Sequence, residues 1–182
     1  IYQHTDNQFK LNYSSTGNLT INNSSKKVEI TSAGYVHLTA QPIIHVYGNN
    51  SSGSIESGDN DVPITFATKS SFSRGITDSN SASRFTIPAG GDGIYYIHAT
   101  IGGSCTTSSD AGDGVEVEFL KNGTLFPSGT HFPAETFGSE SGQEFSLPAT
   151  TIMELAAGDY VEVTLSNIGN TTASWGHRYF IM

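Results

Sequence analysis

Apolar residues along this chain recur with a period of two. Val115-Glu116-Val117-Glu118-Phe119-Leu120 alternates apolar and acidic positions, Tyr160 to Leu165 alternates again, and Ile94 to Ile101 alternates beneath a nearly continuous apolar run. No window of useful length carries the period of an amphipathic helix. The pattern predicts short strands joined by turns, and almost no helix. Val115, Val117 and Phe119 are expected to face a core, with Glu116 and Glu118 pointing outward. The denser run from Ile94 is expected for a strand buried inside a sandwich. Asn122-Gly123 is a two-residue hairpin signal, because both central positions of a type I′ turn require positive φ. The closing Tyr179-Phe180-Ile181-Met182 must lie in a strand that is paired and covered.

The pattern changes character near Pro42. Before it, short alternating pieces recur about every eight or nine residues. They are Phe9-Lys10-Leu11-Asn12-Tyr13, Leu19-Thr20-Ile21, Val28-Glu29-Ile30 and Tyr35-Val36-His37-Leu38. Four pieces this short hold too few apolar residues to bury a core in one chain. Residues 1–41 therefore read as the end of a fibre shaft in which three chains wind together, with an ordinary β-meander as the alternative. Residues 42–182 read as a separate head, opening with Ile43-Ile44-His45-Val46-Tyr47.

Composition narrows the partners. Seventeen acidic residues against eight basic give a net charge of −9. That excludes a basic patch able to neutralise phosphates, so neither nucleic acid nor an anionic membrane surface is the expected partner. No apolar run approaches the length of a membrane helix, and no membrane insertion is expected. The single Cys105 allows no intrachain disulfide and reads as a buried thiol.

Three short signatures follow one another in the head. Phe85-Thr86-Ile87-Pro88 runs into Gly93-Ile94-Tyr95-Tyr96; then comes Leu120-Lys121-Asn122-Gly123; then Leu155 with Gly158-Asp159 and Val161 and Val163. In this order the chain resembles the globular head of complement component one, subcomponent q, a relative of tumour necrosis factor. The resemblance covers residues 43–182. It departs in the turn Ala89-Gly90-Gly91-Asp92, which is longer than the family pattern, and in loose spacing around Trp175 and Gly176. It implies an all-β jelly-roll sandwich, a homotrimer and a binding role rather than an enzyme; no cofactor is expected, save calcium, which some members of the family bind near the trimer apex. No Gly-x-y triplets occur in residues 1–41, where the short β-repeat stands. The expected function is therefore host attachment by the tip of a phage tail fibre or similar virion appendage. Its partners would be a host surface glycan or protein, and the rest of the virion on the N-terminal side. A secreted complement-q-like adhesin or lectin is the alternative, and a glycan-cleaving tailspike a third.

Candidate binding residues lie on loops 48–61, 104–114 and 127–144. Tyr47, His131, Phe132 and Phe137 sit in or beside polar stretches, where aromatics stack on sugars or fill partner pockets. Tucking beneath their own loop is the other reading. Asp110 and Asp113, in Asp110-Ala111-Gly112-Asp113-Gly114, form the candidate metal site, with Asp59-Asn60-Asp61 a weaker one. Spaced carboxylates and carbonyls suit calcium, although a plain glycine-rich turn explains the same residues. No nucleophile signature and no pair of His at metal-ligand spacing occurs. His98, within an apolar strand, reads as a core or trimer-axis residue.

Overall fold

The computed structural model describes residues 2–3, 9–10, 19–23, 26–30, 36–38, 41–48, 53–71, 73–78, 83–107, 112–127, 134–136 and 142–182. The chain divides into two compact units, Ile1–Gln41 and Pro42–Met182. The first unit contains β1 (Tyr2–Gln3) paired with β2 (Phe9–Lys10). It also contains an antiparallel meander of β3 (Leu19–Asn23), β4 (Lys26–Ile30) and β5 (Val36–Leu38). The last three of the recurring pieces thus pair as a meander, and Phe9–Lys10 pairs with Tyr2–Gln3.

The second unit is a two-sheet antiparallel sandwich. Its short early strands are β6 (His45–Gly48), β7 (Gly53–Ile55), β8 (Val62–Pro63), β9 (Thr68–Lys69), β10 (Thr77–Asp78) and β11 (Arg84–Thr86). The later strands are β12 (Gly93–Thr107), β13 (Gly114–Lys121), β14 (Thr124–Leu125), β15 (Ala134–Thr136), β16 (Glu144–Leu155), β17 (Tyr160–Ile168) and β18 (Thr172–Ile181). One sheet runs β16-β12-β18-β6-β9, with β7 also on β18. The other runs β10-β11-β17-β13-β14, with β15 on β13 and β8 on β17. Passing from β11 to β12 to β13, and from β16 to β17 to β18, the chain changes sheet at every step. That alternation makes the sandwich a jelly roll.

The two inner faces meet in one core. Phe85 of β11 stacks on Phe180 of β18 with centroids 4.4 Å apart and planes 12° apart, and Phe66 packs on both rings. Ile97, Ile101, Val117, Phe119, Val163 and Leu165 are fully buried around them. The hairpin at Asn122-Gly123 has the expected positive φ at both residues, 54° and 77°. The C-terminal strand is paired on both sides, with β12 on one and β6 and β7 on the other. Cys105 is buried and forms no disulfide.

Two expectations need correction. Glu116 and Glu118 lie on the outward side of β13, yet both are buried. Residues 59–61 are drawn across β17, where Asp61 N–H donates to Ser166 Oγ at 3.0 Å and Asn167 N–H to Asp59 O at 2.9 Å. The Ser166 hydroxyl in turn donates to Glu118. Nor is β12 buried on both faces. Tyr95, Ile97, Ala99 and Ile101 enter the core, whereas Ile94 and Tyr96 are 77% and 58% exposed.

Candidate binding face

The outward side of the β12 sheet carries its uncovered apolar surface. A strand's side chains alternate between faces, so the same alternation that sends Tyr95 and Ile97 inward turns Ile94, Tyr96 and His98 outward. Register then assembles neighbours from other strands. Tyr96 faces Ile152 of β16, itself 63% exposed; His98 lies between Thr150 and Ile181; Thr100 faces Tyr179, and Tyr179 faces Tyr47. The rings of His45, Tyr47, Tyr96, His98 and Tyr179 form a chain of aromatic contacts with centroids 5.1–6.5 Å apart.

Polar atoms in this patch are already engaged. His98 Nδ1 lies 2.7 Å from Thr150 Oγ1 and its Nε2 lies 3.2 Å from Thr100 Oγ1, so the ring is held on the sheet surface and not in the core. His45 Nδ1 lies 2.6 Å from Ser70 Oγ. Among the described residues, the acidic outward positions of this sheet are Glu144 and Glu154, near opposite ends of β16. The middle of the face is aromatic, aliphatic and uncharged.

At the far end of the same sheet the surface becomes concave. The β12–β18 register shifts between Gly102, opposite His177, and Gly103, opposite Trp175, leaving Gly176 as an extra residue. This is a β-bulge, which bends the strand and opens the ladder. The three glycines bring no side chains, and a groove of about 400 Å³ forms over them, walled by Ser104, Glu144, Ser146, Ser174 and His177. It runs into a second depression of about 280 Å³ between Tyr47 and Tyr179, with Gly102, Ser146 and His177 common to both. Trp175 lines the groove; the residue is buried, and its indole N–H has no hydrogen-bond partner among the described residues.

The predicted site residues fare unevenly. Tyr47 is 40% exposed and belongs to this face through Tyr179. Asp113 lies at the start of β13 in the other sheet and is buried. Its Oδ1 accepts the Asn170 N–H at 3.1 Å and sits so close to Gly169 that a Cβ there would approach to 2.1 Å. Asp113 therefore braces the β17–β18 turn. Among the described residues, no group of three or more His, Cys, Asp or Glu is placed to hold a metal. Asp110, His131, Phe132 and Phe137 lie outside the described residues, as do 49–52 and the rest of 108–111, 128–133 and 137–141 in the three predicted loops. What sequence reading missed is Ile94, Tyr96, Ile152 and the glycine-floored groove. The signal for Ile94 and Tyr96 was present: β12 is apolar at both parities near its start, so it has two faces to cover.

The fold can be set beside known proteins. No protein-family profile matches the chain, and no curated protein matches it. Among solved structures, the globular domain of zebrafish complement 1qA protein is similar at 14% identity and a TM-score of 0.46, over 78% of this chain and 96% of that one. The Eiger TNF of S. frugiperda is similar at 12% identity and a TM-score of 0.49, over 77% and 90%. The strand ladders and the shared core are what define the jelly roll here.

Proposed function

We propose that this protein is the homotrimeric adhesion head of a fibre, the tip of a phage tail fibre or similar virion appendage that attaches to a host surface glycan or protein. The observation that carries the reading is the patch of Ile94, Tyr96 and Ile152, all more than half exposed on a sheet face without charge at its centre. Exposed apolar surface gathered in one place marks an interaction site. Copies of a chain with net charge −9 repel one another wherever carboxylates meet, and this face has none at its middle. A cyclic assembly packed on it presents the same ligand site several times, and weak sites gain avidity. Residues 1–41, with their short β-repeat, supply the connection to the rest of the fibre.

The test is a double substitution, Tyr96→Asp with Ile152→Asp. Light scattering of the unaltered protein should give about three times the 19.3 kDa chain mass, and the variant a single chain. Fluorescently labelled trimer should adsorb to bacterial host envelopes, and the monomeric variant should adsorb far less. An unaltered protein that is monomeric at micromolar concentration would overturn the assembly. Adsorption to no bacterial envelope in a broad panel would overturn the attachment role.

A further inference from the structure

We propose that the glycine-floored groove at the β12–β18 bulge is a saccharide-binding cleft that takes an uncharged pyranose unit. The inference rests on the adhesion reading and gives it a place and a ligand class. A pyranose offers flat apolar C–H faces and a rim of hydroxyls that both donate and accept. The groove answers each. Ser104, Ser146 and Ser174 supply hydroxyls on short side chains, and Glu144 supplies a carboxylate acceptor. His177 adds a ring nitrogen at the junction of the two depressions, and Tyr47 and Tyr179 set aromatic planes beside the second.

Size, charge and position agree. About 400 Å³ leading into about 280 Å³ is within the range of small-molecule sites. Glu144 in the wall of the first depression, where no Lys or Arg lines it among the described residues, disfavours uronic, sialic and sulfated sugars there; the Arg178 guanidinium that lines the second depression donates to the Thr65 and Gly176 carbonyls. The head's first residues pair at the opposite end of the sheet, where Ile44 and Met182 exchange backbone hydrogen bonds. Gly102 lies six residues along β12 from Tyr96, roughly 20 Å at ~3.3 Å per residue. The glycine floor of the cleft and the Ile94, Tyr96 and Ile152 patch therefore lie apart on one face with Tyr47 and Tyr179 between them, and copies packed on those three residues leave the glycine floor at the end away from Pro42.

Trp175 is the chain's single tryptophan and lines the cleft, so its fluorescence reports occupancy directly. The experiment titrates the full chain with the methyl glycosides of glucose, galactose and mannose and with N-acetylglucosamine, using glucuronic acid and N-acetylneuraminic acid as charged controls. At least one neutral probe should shift Trp175 emission saturably, and the charged controls should bind more weakly. Gly102→Val fills the floor. A Cβ at Gly102 meets its nearest neighbours at 3.4–3.7 Å, an ordinary contact, so the backbone admits the first added carbon. The variant should weaken binding at least ~10-fold with unchanged circular dichroism and oligomeric mass. If Gly102→Val perturbs the fold, Ser146→Arg, at an exposed wall position, gives the same readout. No saturable response to any neutral probe, tighter binding of a charged sugar, or unaltered binding by a folded, cleft-filled variant would each overturn the cleft. Adsorption to host envelopes that survives Gly102→Val would overturn the cleft and leave the adhesion reading standing. Absence of adsorption by the unaltered protein would overturn the adhesion reading itself.

Discussion

Asn122 and Asp159 fasten two turns at one end of the sandwich: Asn122 Nδ2 donates to Asp159 Oδ1 at 2.8 Å, while Asn122 Oδ1 accepts the Tyr160 N–H at 2.9 Å. Asp159 Oδ2 also accepts the Ala156 N–H at 2.9 Å and pairs with Lys121 Nζ at 3.0 Å. The Ala156 N–H, then Asn122 and Lys121, hold the Asp159 carboxyl down at about 2. A depressed folded-state pKa contributes stability above the unfolded value of about 3.9 and loses it as pH falls towards about 2. Asp159→Asn should therefore melt lower than the parent at pH 6, by about 1–3 kcal/mol of lost charged hydrogen bonding. Thermal melts should show the gap closing as pH falls towards about 2; a gap independent of pH would contradict the carboxylate's role.

Glu118 should behave in the opposite sense. Burial raises its pKa; the Ser166 hydroxyl opposes this, and the charges of Asp61 and Glu116 add to the rise. An acid with a raised folded-state pKa favours the fold while protonated, and that contribution is lost as pH rises from the unfolded value of about 4.3 through the folded one. Glu118→Gln imitates the protonated form. It should raise the melting temperature near neutral pH, change little near pH 4, and flatten the pH profile. A lower melting temperature at pH 7 would show that the ionised carboxylate is the stabilising form.

The stack of Phe85 on Phe180 links the two sheets. Both side chains are fully buried. Phe180→Ala should cost about 3–5 kcal/mol through lost burial and the cavity left behind, and Phe180→Leu markedly less. Denaturant unfolding of both variants measures the difference.

Gly53 lies beneath the Trp175 ring, and a Cβ there would fall 1.9 Å from Cζ2. Gly53→Ala should displace the indole, lower the melting temperature and alter Trp175 emission even without ligand. An alanine variant with native fluorescence would show that the strand shifts instead of the ring.

Some elements were legible because they depend on neighbours in sequence. The Asn122-Gly123 turn follows from the backbone freedom of those two residues, and the inward side of β13 from its alternation at Val115, Val117 and Phe119. Others were not, because they depend on what lies across from them. Nothing local to Glu116 and Glu118 shows that residues 59–61 cross above them. Nothing local to Asp113 shows that Asn170 and Gly169 fold back onto it.

The binding face marks the same boundary. Sequence alone determined that Ile94 and Tyr96 would sit in one strand and share a parity, since alternation is a property of one strand's backbone. It determined Tyr47 as a candidate through its setting beside a polar stretch. Tertiary structure alone decided that Tyr96 meets Ile152, and that Tyr47 meets Tyr179. It also decided that Gly102, Gly103 and Gly176 coincide at a bulge with Ser146 and Trp175 around them. Those pairings join strands far apart in the chain, and they are fixed by register and by the closure of two sheets on one core, which no window of sequence contains.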